Sequence, residues 1–209
     1  MNAQVNKDTL QQAKNGNLVA FERILTSFEK PLLNYLYRTV GQKEDAEDLT
    51  QETFVKIYKN LKNIDLESDF RAWVFTIATN TAYDWLRKRK GGKEISLDAE
   101  DVDFVANKES IIKSTNNIKA LQDAFDVLKI LDKLRPIYRT VLVLFYYQGF
   151  TYIEISKIIS APLNTVKTHM SRAKNSLKKI LEAQEEAFKE RRLPNYKPEP
   201  FSKIGFRPK

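Results

Sequence analysis

"RPIYRTVLVLFYYQGFTYIEISKIISAPLNTVKTHMSRAKNSLKKIL" runs from Arg135 to Leu181, and its punctuation sets the fold. Pro136 suits the first turn of a helix and Gly149 its end. Thr151 and Glu154 form the T-x-x-E pattern of a capping box, so a new helix starts there. Its apolar positions Tyr152, Ile155, Ile158 and Ile159 share one face. The four-residue turn "SAPL" follows, and then another helix. Helix, tight turn, helix is the supersecondary signature of a DNA-reading unit.

At 100° per residue the last helix separates into two sides. Val166, Met170, Ala173, Leu177 and Ile180 make an apolar stripe. Lys167, Thr168, Ser171, Arg172, Asn175, Lys178 and Lys179 occupy the other side, with no acid among them. Short hydroxyl and amide groups reach base edges while flanking cations hold phosphates, which is the chemistry of a major-groove helix. A solvated basic face fits the same pattern, but the adjoining turn and capping box favour DNA. His169, the only histidine, lies beside the polar side. Without cysteine or a second histidine it builds no zinc site, and it reads as a phosphate contact or a spectator.

Helical patterns also dominate outside this stretch, so the fold class is all-α. "DTLQQAKNGN" is a short helix closed by Asn15-Gly16-Asn17. Leu18 to Val40 is a longer one stopped by Gly41, with Pro31 as a break point. "DAEDLTQETFVKIYKNL", Asp45 to Leu61, follows, then the polar loop "NIDLESD". Ser68 or Asp69 caps the next helix, "FRAWVFTIATNTAYDWLRKRK". The expected architecture is two small helical domains, residues 1–90 and 123–184, the second a helix-turn-helix domain. A flexible acidic linker, 91–122, joins them, and a basic tail with four prolines, 185–209, ends the chain.

Charge follows this division. Residues 1–85 carry 10 basic and 12 acidic side chains, 94–132 carry 4 and 9, and 133–209 carry 16 and 6. Leu86 to Lys93 holds five positive charges and no negative one. Two basic zones around an acidic one point to a polyanion gripped at two places. There is no run of about 18 apolar residues, so no membrane span is encoded, and the first residues lack the apolar core of a signal peptide. With no cysteine there is neither a disulfide framework nor a thiolate metal site. The expected location is the cytoplasm.

Asp45, Glu47, Asp48 and Glu52 raise a separate question: metal site, wet surface or docking face. On a helix, Ala46, Thr50, Thr53, Phe54, Ile57 and Leu61 form the buried stripe. Asp45, Asp48 and Glu52 point away, with Leu49 and Val55 set among them. One helix face diverges and supplies no converging ligands, so a metal is not expected. Glu52 can pair with Lys56 on a solvated face. Apolar side chains among carboxylates nevertheless favour a basic partner surface with a small apolar centre. In Phe70–Lys90, Trp73, Ile77 and Trp85 share a face and read as core. The remaining aromatics Phe70, Phe75 and Tyr83, with Arg71, Asn80 and Arg87 to Lys90, combine stacking surfaces with a basic track, as single-stranded DNA binding requires.

Taken together, these segments resemble the extracytoplasmic-function (ECF) sigma factors, compact two-domain initiation subunits of bacterial RNA polymerase. The match runs from about Asp8 to Leu181. "DAEDLTQETFVKIYKNL" is similar to the family's core-binding segment, which implies a polymerase contact through Asp48, Leu49, Gln51, Glu52 and Val55. "FRAWVFTIATNTAYDWLRKRK" and the loop before it are similar to the segment that opens the minus-ten element and captures a flipped base. That implies contacts by Asn63, Asp65, Arg71, Asn80, Tyr83, Arg87, Lys88 and Arg89. The helix-turn-helix implies duplex minus-thirty-five contacts by Thr165, Lys167, Thr168, Ser171, Arg172, Asn175 and Lys178. The chain departs from the family pattern at Ser160, where glycine is frequent, and at Pro162, where a small capping residue is usual. The resemblance implies no cofactor, no metal and no enzymatic activity. Its implied partners are core polymerase, promoter DNA and, as is common in the family, an anti-sigma protein. The family threads the linker along the polymerase's RNA path, although a plain solvated tether suits the same composition. A free-standing helix-turn-helix regulator is the rival reading. A metal-dependent nuclease lacks the converging ligands it would need.

Overall fold

The computed structural model describes residues 5–89 and 127–190, with side chains to residue 183. The expected linker and almost all of the expected tail lie outside the described residues. Asn6 accepts the Thr9 N–H and caps α1, Lys7–Lys14. Gly16, at φ 93°, turns the chain, and Asn17 then caps α2, Leu18–Val40, through the Ala20 N–H. α2 does not break at Pro31 but runs on to Gly41, which ends it at φ 86°. An interior proline costs about 3 kcal/mol. Each fully buried large apolar side chain returns about 1.5–3 kcal/mol, and Ile24, Phe28, Leu32 and Leu36 are all at most 1% exposed.

α3, Lys43–Asn60, buries Ala46, Leu49, Thr50, Thr53 and Ile57 against α2 and α4. Its buried threonines cost little, because their hydroxyls donate to the carbonyls of Ala46 and Leu49 at 2.7 and 2.6 Å. A single 3-10 turn, Leu61–Asn63, leads into the loop. Asp69, rather than Ser68, then caps α4, Phe70–Arg89, by accepting the Ala72 N–H. α4 is buried around most of its circumference, at Phe70, Ala72, Val74, Phe75, Ala78, Thr79, Thr81, Ala82 and Leu86. That explains its blurred helical period.

The second domain opens with α5, residues 127–132, and α6, Pro136–Leu142, with proline in its first turn as expected. α6 widens into a π-helical turn, Val143–Tyr147, before Gly149 reverses the chain at φ 72°. The capping box of Thr151 and Glu154 starts α7, Tyr152–Ile158, with both of its reciprocal bonds made. Ser160 turns the corner at φ 52°. α8, Leu163–Glu190, then packs across α6 and α7.

The two domains share one apolar core. Phe75 of α4 meets Phe150 edge-on, with centroids 5.0 Å apart. Polar links cross the same joint. Arg139 donates to the Thr39 carbonyl at 2.7 Å, Tyr83 donates to the Thr140 hydroxyl at 3.0 Å, and Arg71 donates to the Gln148 carbonyl.

Candidate nucleic-acid interface

The apolar stripe of α8 is held in the core: Val166, Met170, Ala173 and Leu177 are each at most 3% exposed, and Ile180 is half-buried. Lys167, Thr168, Ser171, Arg172, Asn175 and Lys178 are consequently all on the surface, and Thr165 is half-exposed at the helix start. Among the described residues, Lys178 pairs on this face with Glu182 at 3.6 Å, both largely exposed, so the pair yields readily to a phosphate. Thr168 returns its hydroxyl to the Asn164 carbonyl, which still leaves its lone pairs free to accept. Of the two readings of His169, burial favours the spectator. It is 6% exposed, with its ring 6.0 Å from that of Tyr138, so it packs in the interior rather than on the polar side of α8.

On α4 the sites divide by position. Asn80, Arg87, Lys88 and Arg89 are exposed. Arg87 pairs with Asp84 at 3.6 Å. Arg89 pairs with Asp45 at 3.3 Å and stacks over Trp85 at 4.8 Å. Further up, Arg71 is half-buried, its guanidinium 3.8 Å from the Phe150 ring centre. Burial lowers its pKa, with Glu154 and Asp69 opposing that trend. Tyr83 is turned to the second domain, and burial raises its pKa. The expected aromatic platform is not presented to solvent. Phe75 is 0% and Phe70 9% exposed, while Trp73, Ile77 and Trp85, expected as core, are only half-buried. α4 is clasped from two sides, so a one-stripe reading assigns its faces wrongly.

The loop before α4 is ordered by its own polar groups and by two lysines of α1. Asp65 accepts the Glu67 N–H at 3.0 Å, Lys14 reaches the Ile64 carbonyl at 2.7 Å, and Lys7 pairs with Glu67 at 2.7 Å. Asn63 and Asp65 both face water.

On α3 the acidic face points outward. Asp48, Gln51 and Glu52 are exposed, Val55 is 51% exposed, and Glu52 is bridged to Lys56 at 2.8 Å. Leu49 is a correction: at 2% exposed it belongs to the core, because α3 is gripped over a wedge wider than the expected stripe. The apolar companion of Val55 on this face is instead Tyr58, 51% exposed and tilted against Phe21. Its i+3 spacing from Val55 was the available signal. Among the described residues no three His, Cys, Asp or Glu side chains converge as a metal site would require.

One cluster escaped sequence reasoning altogether, the joint around Arg139. This residue is 5% exposed and bonds to the carbonyls of Thr39 and Asp132 as well as the Asp132 carboxylate, at 2.7, 2.9 and 3.1 Å. Burial depresses its pKa, and Asp132 opposes that shift. A lone arginine inside the apolar run "PIYRTVLVLF" was its sequence signal.

Known proteins bear on these surfaces. Residues 24–91 match the family model of Sigma-70 region 2, and residues 124–177 match that of Sigma-70 region 4. The chain is 32% identical over 185 residues to the ECF RNA polymerase sigma factor SigW of Bacillus subtilis, covering 84% of this chain and 96% of the relative. It is 27% identical to the RNA polymerase sigma-H factor of Pseudomonas aeruginosa, covering 83% and 92%. Its structure resembles the sigma factor RpoE of Bartonella quintana, solved with the anti-sigma factor NepR. There the identity is 28%, the TM-score 0.59 and the coverage 78% of this chain and 96% of the other. The fold is shared as well with CnrH, solved with the cytosolic domain of CnrY, at TM-score 0.65 and 23% identity over 86% and 99% of the two chains. Two sigma regions in order, a relative matched along nearly its whole length and the all-helical two-domain architecture give one conclusion: the chain belongs to the ECF family of RNA polymerase sigma factors, which direct the polymerase to promoters.

Proposed function

We propose that three surfaces divide the work of initiation. The face of α3 formed by Asp48, Gln51, Glu52 and Val55, extended by Tyr58, docks core RNA polymerase. The outer side of α8, from Thr165 through Lys178, reads the duplex minus-thirty-five element. Asn63 and Asp65 of the loop, with Arg71, Asn80, Tyr83 and Arg87 to Arg89 of α4, handle the opened minus-ten strand. The working units are then residues 1–90 and 123–184, joined by 91–122 and followed by the basic tail 185–209. The chain supplies binding alone and leaves catalysis to the polymerase, with which it shares the cytoplasm. No described helix is long and apolar enough to cross a membrane. The Bartonella quintana relative was solved with an anti-sigma factor, and a restraining partner of that kind belongs to this proposal.

The observation that carries the reading is the exposure of α8. The side chains assigned to base edges or phosphates are exposed, Thr165 half so, and those assigned to the core are buried, Ile180 half so. A free-standing operator-binding regulator would use the same helix, but it would leave the acidic–apolar face of α3 without a task. Reversing a charge at the centre of a docking face costs several kcal/mol of binding. Glu52→Arg should therefore abolish co-purification with core polymerase while leaving the helical content unchanged. Undiminished capture of core by this variant would remove α3 from the docking assignment.

A further inference from the structure

α1 lies ahead of the matched Sigma-70 region 2, which begins at residue 24, and carries no residue assigned to polymerase or to DNA. It is nevertheless built into the first domain. Leu10 and Ala13 are buried, and the helix packs on α2 and on the 3-10 turn Leu61–Asn63. Its lysines reach further. Lys14, half-buried in the last turn, donates to the Ile64 carbonyl at 2.7 Å. Ile64 stands directly between Asn63 and Asp65, the two loop residues assigned to the opened minus-ten strand. We propose that Lys14 is a positioning residue for base recognition: it touches no DNA but sets the backbone from which Asn63 and Asp65 reach the strand. The proposal rests on the assignment of that loop to DNA.

Ile64 is pinned from several sides. Its side chain is 4% exposed and joins the core, and its N–H closes the 3-10 turn on the Leu61 carbonyl at 3.3 Å. Its ψ of 141° makes the chain extended there, beyond the reach of a helical ladder, and the Lys14 ammonium takes its carbonyl instead. Past Ile64 the order is local. Asp65 accepts the Glu67 N–H through its carboxylate at 3.0 Å and the Ser68 N–H through its carbonyl at 3.1 Å. These bonds shape the turn without fixing where it points. Lys7, two turns before Lys14 on the same side of α1, pairs with Glu67 at 2.7 Å. Both of those side chains are more than two-thirds exposed, so their pair adds little. The task falls to Lys14, whose charge strengthens its bond relative to a neutral donor. Its own base is rigid. The Gly16 N–H donates to the Ala13 carbonyl and the Asn17 N–H to the Gln12 carbonyl, both at 3.0 Å, closing the end of α1. A side chain that reads a base must be held within about 0.5 Å of its productive position. Asn63 and Asp65 are both exposed, and the residue that anchors them is the one Lys14 holds.

The test uses the full chain with core polymerase, on a genomic promoter fragment that the parent holoenzyme transcribes and on single-base variants through its minus-ten element. Lys14→Met keeps the stem and removes the donor. It should lower the parent's preference at one minus-ten position, or at two adjacent ones, roughly fivefold. Capture of core, dependence on the minus-thirty-five element and the salt slope of promoter binding should stay as in the parent. Lys14→Arg, which keeps a charged donor, should restore the preference. In the free protein the Glu67 and Ser68 amides should exchange with solvent faster in Lys14→Met than in the parent, which places the change in the loop. Loop amides that exchange at the parent rate overturn the inference. Full discrimination by Lys14→Met overturns it too, provided Asn63→Ala or Asp65→Ala does relax the preference. If neither of those relaxes it, the assignment of the loop to DNA fails, and the inference falls with it. An equal loss for all sequences with a flatter salt slope would make Lys14 a phosphate contact and would equally overturn the positioning role.

Discussion

Tyr35 sits at the centre of the first domain, 0% exposed, with its hydroxyl 2.7 Å from that of Thr79. Burial pushes its pKa up to about 12, against the hydrogen bonds that lower it. A raised folded pKa means that its stabilisation is fully present below the unfolded value near 10 and is lost as the pH climbs from about 10 to about 12. The loss integrates to roughly 2–3 kcal/mol. Urea unfolding followed from about pH 9 to about pH 12 should therefore decline less steeply for Tyr35→Phe than for the parent. Equal slopes would show that Tyr35 ionises without unfolding. At this scale the sequence is legible wherever a residue's partners are local. The Thr151–Glu154 box, the Asp69 cap and the Gly41 stop are all made as expected. It misleads wherever they are distant. Nothing near Arg71, Tyr83 or His169 tells that the first two meet residues more than fifty positions away and that the third is buried.

Among the elements, α8 was read most faithfully, because it is packed on one side only and its period separates core from surface. α3 and α4 touch more than one neighbour. Leu49 and Phe75, assigned to open faces, are consequently interior, and Trp73 and Trp85 are shallower than expected. The turn between α7 and α8 offers a direct test of backbone cost. Ser160 is exposed and holds φ 52°, a conformation disfavoured by about 1–2 kcal/mol for a residue with a Cβ. Glycine removes that cost but adds freedom to the unfolded chain, worth about 0.5–1 kcal/mol. Ser160→Gly should thus stabilise the second domain by roughly 0.5–1 kcal/mol, read as a higher denaturation midpoint, whereas Ser160→Val should lower it. On α8, Lys178→Ala should weaken promoter binding by the holoenzyme about equally for all sequences and reduce the salt slope by about one unit. Asn175→Ala or Arg172→Ala should instead relax the preference at particular base pairs, a loss of about 1–3 kcal/mol of discrimination. A uniform, salt-insensitive loss in all three would remove α8 from the groove.

For the whole molecule, the two-domain helical plan was legible because each domain carries its own periodic helices and caps. The joint between them was not, since it is made of contacts between residues such as Thr39 and Arg139 that lie a hundred positions apart. Affinity for promoters then emerges from assembly. On the proposed division of surfaces, α3 would fix the chain on polymerase, and polymerase in turn would hold α4 and α8 at the separation that two promoter elements require, so neither domain would have to bind tightly alone. Run-off transcription with purified bacterial core polymerase and genomic promoter fragments tests this account most directly. Core with the parent protein should yield discrete transcripts, and core with Glu52→Arg should yield none although the variant is folded. Transcripts of undiminished yield from Glu52→Arg, or none from the parent protein while it grips duplex DNA unaided, would contradict it.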